Sequence, residues 1–194
     1  MSLRVVILAS GLGSLAEALI VAAKRPDYPA RVVALGADRP AEALNAARRH
    51  GVATFTVKPA DFANRREWDR ALAAAVAVFR PDLVVSAGFM RILGADFLDR
   101  FGDRTINTHP ALLPAFPGAH AVREALAAGV AVTGCTVHRV DAGVDTGPVL
   151  AQRQVAVRDG DTEASLHERI KAVERQLLIE TVAALADQSI RPPL

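Results

Sequence analysis

Sulfur is nearly absent from this chain: it has one cysteine, Cys135, and two methionines. An intramolecular disulfide is therefore excluded, and one thiol with no second sulfur ligand argues against a structural zinc site. A cytoplasmic location fits that chemistry. Lysine is also scarce, with only Lys24, Lys58 and Lys171 among 23 basic residues. The net charge is +2, and the basic clusters, Arg48-Arg49 and Arg65-Arg66, are only pairs. A nucleic-acid binder would carry a dense basic stripe, so no nucleic-acid partner is expected. Long apolar runs are missing too. Val5 to Ala9 is followed at once by Ser10-Gly11, shorter than the roughly 7–15 residues of a signal-peptide core. No window approaches the ~18 apolar residues of a membrane span, so no membrane partner is expected.

The chain nonetheless has 194 residues, of which 51% are hydrophobic and 23% charged. This is enough to bury a core and matches one ordinary domain, read as residues 1–194, with no room for a second. Arg4–Ala9 (RVVILA) is β-branched and continuously apolar, as a strand buried on both faces should be. Ser14 is placed to cap a helix running to about Lys24. Arg31–Gly36 and Val52–Thr56 read as strands, with a helix over Glu42–His50 closed by Gly51 between them. A long helix over Arg65–Phe79 stops at Pro81. Asp82–Ala87 is another buried strand, Ala95–Phe101 a short helix and Thr105–Thr108 a short strand. This alternation predicts right-handed βαβ units, hence an α/β, Rossmann-like doubly wound fold with a mostly parallel sheet.

The pattern changes after Pro110. Prolines at 110, 114 and 117 mark an irregular loop. A helix follows over Val122–Ala128. Thr133–Val140 and Val149–Val157 read as two strands joined by the turn-rich Asp141–Pro148, so a C-terminal antiparallel pair is expected. Thr162–Asp187 reads as a long final helix, capped by Thr162, with an apolar stripe at Leu166, Ile170, Val173, Leu177, Leu178 and Val182. The tail Arg191–Leu194 reads as frayed.

Four segments can carry chemistry. Gly11-Leu12-Gly13-Ser14 joins the first strand to its helix, where glycines admit an anion to unpaired N–H groups and a positive dipole end. A phosphate is the natural guest. A tight turn with no ligand, or a relaxed dinucleotide fingerprint (Gly11-x-Gly13-x-x-Ala16), also fits. Asn107 and His109 are two apart on a strand end and share a face. There an amide and an imidazole can donate to an oxyanion, or the imidazole can move a proton. His138 and the loop Asp141–Pro148 offer an aspartate that could orient a histidine, though a solvated turn reads the same way. Gly88–Leu93, just after a parallel strand, offers apolar residues suited to a flat aromatic ligand, or to plain corner packing. The five histidines show no H-x-x-x-H spacing, and no metal site is expected.

These segments, Ala9–Ser14, Ala87–Leu93, Asn107–Pro114, Phe116–His120 and Gly143–Pro148, resemble in order and spacing those of the glycinamide ribonucleotide formyltransferases. The resemblance runs from Arg4 to about Leu185. It implies transfer of a formyl group from 10-formyltetrahydrofolate, as co-substrate, to the amine of glycinamide ribonucleotide in purine biosynthesis. It implies Asn107, His109 and Asp145 as the catalytic trio. Gly11, Leu12, Gly13 and Ser14 become the phosphate loop, with Arg66 near the phosphate and Glu174 at the ribose. Met90 and Gly118 fall to the amine substrate. Arg91, Ile92, Leu93, Val140, Asp141, Ala142 and Val144 fall to the folate pocket.

One departure is Leu15, where the family often has Asn. Related formyl-transfer enzymes share the Asn-x-His and Asp signatures. Methionyl-tRNA formyltransferase carries a further C-terminal domain and Arg-Gly-Ala where this chain has Ala115-Phe116-Pro117-Gly118. Formyltetrahydrofolate hydrolase carries a further N-terminal domain. Two other classes share the glycine loop. A nicotinamide-dependent oxidoreductase would set Asp38 on the ribose hydroxyls but leaves the trio unexplained. A catalytically silent nucleotide-binding protein would not need the trio. The expected partners are small molecules, and a homodimer is compatible with the chain.

Overall fold

The computed structural model describes residues 2–190, so the tail expected to fray lies outside the described residues. Strands β1 (Leu3–Leu8), β2 (Ala30–Ala37), β3 (Ala53–Thr56), β4 (Leu83–Ser86), β5 (Thr105–His109), β6 (Val132–Arg139) and β7 (Val149–Ala156) form one sheet in the order β3-β2-β1-β4-β5-β6-β7. β1 to β5 are parallel. β6 runs antiparallel to β7, as the sequence predicts, and also to β5. The helices are α1 (Ser14–Ala22), α2 (Glu42–Arg49), α3 (Arg65–Val78), α4 (Ala95–Phe101), α5 (Ala121–Ala127) and α6 (Glu163–Ile190). The fold is α/β, doubly wound, with a long final helix.

The apolar runs of β1 and β4 follow from burial on both faces. Val5 and Ile7 join Leu19, Leu166, Ile170 and Leu178 in the core beneath α1 and α6. Val6 and Leu8 join Trp68, Leu72, Val76 and Phe97 in a second core beneath α3 and α4. Residues alternating along a strand thus serve two layers. The predicted stripe of α6 is buried at Leu166, Ile170, Leu177, Leu178 and Val182, with Val173 half-buried at its margin. Thr162 caps α6 as expected, its Oγ1 accepting the Ser165 N–H at 3.2 Å.

Ser14 does not cap α1; it is the first helical residue. Gly13 occupies the cap position with φ 79°, and among the described residues no side chain caps the helix. The left-handed turn is made one residue earlier, so Ser14 already carries helical dihedrals.

Strand order reverses between β1 and β4. In a doubly wound sheet this switch point opens a crevice at the carboxyl ends of the strands. The loops following β1 and β4, residues 9–13 and 87–94, meet there: Ser10 N–H donates to Gly88 O at 3.1 Å, and Met90 N–H to Ser10 Oγ at 2.8 Å.

Candidate active site

The phosphate-loop candidate begins the crevice. Ala43 N–H of α2 donates to Gly11 O at 3.1 Å. A Cβ on Gly13 would lie 2.5 Å from Ala43 Cβ, so this position accepts only glycine without movement. With no side-chain cap on α1 among the described residues, the N–H groups of its first turn, at Ser14, Leu15 and Ala16, remain free for an anion. Leu15 contributes there through its backbone; its side chain packs on the core. Leu12 projects into solvent.

Two strands away, β5 and β6 deliver the polar centre. Ile106 and Val137 belong to the core under α1 and α6, so Asn107, His109 and His138 project from the opposite face. Asn107 is paired with His138 in the antiparallel register, and its Nδ2 lies 3.2 Å from His138 Nε2 and 3.4 Å from Asp145 Oδ1. His138 Nδ1 donates to Arg139 O at 2.8 Å. A neutral ring protonated at Nδ1 therefore has its Nε2 lone pair free to accept from Asn107. His138 Nε2 also lies 3.4 Å from Asp145 Oδ1, a contact a protonated ring would make as a donor.

Asp145 is the hub. Its Oδ2 lies 3.3 Å from His109 Nδ1 and accepts the Gly118 N–H at 2.8 Å. The loop after β6 presents it in the left-handed region at φ 55°, a conformation Asp tolerates better than most residues. Asp141 shapes that loop by accepting from Gly143 N–H at 3.0 Å and Thr146 Oγ1 at 2.7 Å. Burial works against ionising Asp145. When the His138 ring is protonated, its hydrogen bond and charge, together with the Gly118 N–H and the charge of His109, outweigh it and hold the carboxyl below its ordinary value. His109 is buried, and its Nε2 faces Phe116 O at 2.7 Å. Oxygen atoms thus face both ring nitrogens and fix the orientation of the ring.

The loop between β4 and α4 lies between these two parts. Met90, Ile92 and, across the crevice, Val144 are exposed apolar side chains. Arg91 is anchored, its Nε donating to Asp38 Oδ2 at 2.8 Å. Leu93 is buried in the second core with Phe89 and Phe97, and Val140 packs against that core. The far end of the loop is fixed by Asp69 of α3, whose carboxylate accepts from Gly94 N–H at 2.7 Å and Phe97 N–H at 2.9 Å.

The expected site residues fall into two groups. Asn107, His109, Asp145 and Gly118 are brought into contact. Arg66 is turned outward and paired with Asp96 at 3.1 Å; its neighbour Arg65 is the one that donates to Ile92 O. Glu174 does not reach the polar centre. It lies beneath β5 on the α6 side, accepts from the Thr108 hydroxyl and is buried, which pushes its pKa up to about 7. Cys135 is buried, and desolvation with the nearby Glu174 charge pushes its thiol up to about 12, which leaves it no nucleophile. His138 was visible in the sequence only as one half of a His–Asp segment. The β5–β6 register is what sets it opposite Asn107.

Asp38 bears on the dinucleotide alternative. Its side chain is fully buried and accepts from both Arg39 and Arg91. It has no free face for ribose hydroxyls. Among the described residues no group of three or more His, Cys, Asp or Glu side chains could hold a metal ion, and no helix is long and apolar enough to cross a membrane.

Comparison with known proteins follows the same lines. Residues 3–182 match the family model described as formyl transferase. The phosphoribosylglycinamide formyltransferase of Mycobacterium tuberculosis is 62% identical over 187 residues, 96% of this chain and 86% of that protein. Glycinamide ribonucleotide transformylase 1 from Symbiobacterium toebii is similar in structure with a TM-score of 0.94 and 41% identity, covering 96% of this chain and 88% of that one. Phosphoribosylglycinamide formyltransferase from Brucella melitensis gives a TM-score of 0.91 and 43% identity, with 96% of each chain covered.

Proposed function

The chain belongs to the formyl transferase family, and we propose that it transfers the formyl group of 10-formyltetrahydrofolate to the amine of glycinamide ribonucleotide. The products are formylglycinamide ribonucleotide and tetrahydrofolate, a step of purine biosynthesis suited to the cytoplasm. We read residues 1–194 as one catalytic unit with two small-molecule partners. The observation that carries this reading is the junction at Asp145, which holds His109 Nδ1 at 3.3 Å and Gly118 N–H at 2.8 Å beside Asn107.

A neutral primary amine is already a nucleophile, so no covalent enzyme intermediate is needed. Its nitrogen bonds to the formyl carbon, the carbonyl π electrons move to oxygen, and collapse of the tetrahedral species breaks the bond to N10. The proton the amine loses balances the one N10 gains, and His109, His138 and Asp145 are the titratable groups at the centre. The protein's task is to hold two reactants and stabilise one oxyanion. Orientation can supply up to ~7–11 kcal/mol, and an oxyanion donor roughly 2.7–4 kcal/mol.

Asn107 and His109 supply those donors. The second N–H of Asn107 makes only the long 3.4 Å contact to Asp145 and can turn to the oxyanion. His109 Nε2 now bonds the Phe116 carbonyl, the acceptor that the oxyanion replaces. Asp145 keeps the imidazole correctly turned. Gly11, Leu12, Gly13 and Ser14 receive the phosphate through backbone N–H groups, and Glu174 accepts from the ribose hydroxyls. Met90 and Gly118 border the amine. Arg91, Ile92, Val140, Asp141, Ala142 and Val144 border the folate, to which Leu93 offers only its backbone. Arg66 is the basic side chain near the phosphate, and its neighbour Arg65 donates to Ile92 O of the loop between β4 and α4.

The test is formyl transfer by the purified protein, with each substrate omitted in turn. Formylglycinamide ribonucleotide should form only when both are present. Release of free formate at the same rate without the ribonucleotide would mark a hydrolase instead. Binding of either ligand without turnover would mark a non-catalytic protein.

A further inference from the structure

Ser10, Asp38 and Arg91 stand on three different loops, those following β1, β2 and β4. The Asp38 side chain is fully buried at their meeting point. Its Oδ2 accepts from Arg91 Nε and Arg39 Nη2, each at 2.8 Å, and its carboxylate also accepts from the Ser10 hydroxyl. Ser10 Oγ in turn accepts the Met90 N–H at 2.8 Å. One carboxylate thus holds Ser10, at the start of the glycine loop, and Arg91 of the loop between β4 and α4, while Ser10 holds the neighbouring Met90.

The fold does not need this tie. β1, β2 and β4 are already paired along their lengths, and the far end of the 87–94 loop is independently fixed by Asp69. Burying a carboxylate is costly unless it is fully partnered. Here the partners are side chains, and two of them, Ser10 and Arg91, stand on loops that line the crevice. Charge-assisted bonds of this length and geometry fix orientation more firmly than neutral ones.

We propose that Asp38 is a positioning residue that locks the Met90–Arg91 loop to the phosphate loop and thereby couples occupancy of the ribonucleotide site to occupancy of the folate site. The inference rests on the functional reading above. A ligand that orders residues 10–14 acts on Ser10, Ser10 on Asp38 and Met90, and Asp38 on Arg91. By linkage, the folate must favour the ribonucleotide by the same factor. Arg39 shares the carboxylate but stands outside the path, on β2's own loop.

The experiment measures tetrahydrofolate affinity by calorimetry, with and without glycinamide ribonucleotide, in wild type, Asp38→Asn, Ser10→Ala and Arg39→Ala. Steady-state kinetics accompany it. In wild type the ribonucleotide should tighten tetrahydrofolate severalfold. Asp38→Asn should raise KM for the folate about tenfold, with kcat changed by about threefold or less, the pattern of lost ground-state positioning. The tightening ratio should collapse toward one in Asp38→Asn and Ser10→Ala and stay at the wild-type value in Arg39→Ala. Ser10→Ala removes only a hydroxyl, so it decides the matter if Asp38→Asn folds poorly.

A wild-type ratio of one, or the same ratio in all four proteins, overturns the coupling while leaving formyl transfer intact. A wild type that binds neither ligand and transfers no formyl group removes the functional reading and the coupling together.

Discussion

Asn107 is held from across the sheet by His138, its direct partner in the β5–β6 register, with 3.2 Å between Nδ2 and Nε2. The amide is therefore aimed before any substrate arrives, which is what an oxyanion donor requires. Asn107→Ala should lower kcat by about 10²-fold or more with little change in substrate affinity. His138→Phe keeps the bulk but removes the acceptor, and should cost about tenfold in kcat. The double variant should be little worse than Asn107→Ala, because residues that act as a unit are not additive. Near-normal turnover in Asn107→Ala would remove it from the mechanism.

Much of this was legible in the sequence, for physical reasons that differ by element. β1 and β4 are buried on both faces over Val5–Leu8 and Leu83–Val85, so those runs are continuously apolar, and α6 shows its buried stripe at helical spacing. Asn107 and His109 were readable as one face because strand alternation needs no tertiary information. The sequence alone does not place His138 or Asp38 at the site. Their roles arise from strand order and register, which set residues far apart in sequence side by side. Arg65 and Arg66 show the same limit. Adjacent helical residues point about 100° apart, and only the packing of α3 against the 87–94 loop decides which one reaches Ile92.

Asp145 combines a left-handed backbone, at φ 55°, with a buried charge. Asp145→Asn preserves that conformation, which Asn tolerates, and removes only the charge beside His109. Its kcat should fall by about 10²–10⁴-fold. The pH dependence has a defined sign. Because the folded carboxyl titrates below its ordinary value, wild type gains stability above the unfolded pKa near 4 and loses it as pH falls through the folded one. Urea unfolding from pH 3 to pH 6 should show that slope in wild type and a flatter one in Asp145→Asn. Parallel curves would place Asp145 among ordinary exposed carboxylates.

The two glycines of the phosphate loop make different probes. Gly13 combines a positive φ with a 2.5 Å clash for any Cβ, so Gly13→Val should damage the whole loop and weaken both ligands. Gly11 has no positive φ and nothing within 4 Å of a built Cβ. Gly11→Ala should fold with a stability change of about 1 kcal/mol or less, yet narrow the anion's approach. Calorimetry should show weaker ribonucleotide binding and unchanged folate binding. Equal losses for both ligands would take the phosphate away from this loop.

Glu174 offers a test that needs no assay at all. Burial is the main cause of its raised pKa, about 7, and the Thr108 hydroxyl with the charges of Lys171 and Arg175 only partly opposes it. Between the ordinary value near 4.5 and about 7, the folded chain holds a proton here that the unfolded chain has released. Stability must therefore fall as pH rises through that window and level off above it. At about 1.4 kcal/mol per pH unit, the loss is roughly 3 kcal/mol in all. Glu174→Gln is neutral throughout and can still accept from Thr108. Its stability advantage over wild type should grow from pH 5 to pH 7 and stay level at pH 8, measured by urea unfolding at each pH. If ribose hydroxyls donate to this carboxylate, they favour its charged form. Ribonucleotide binding near pH 6 should then release a proton in wild type and none in Glu174→Gln, which calorimetry in two buffers of different ionisation enthalpy reads directly. A constant stability gap across the pH series would mean that Glu174 titrates as an exposed carboxylate does. Equal proton release in both proteins would take the ribose away from it.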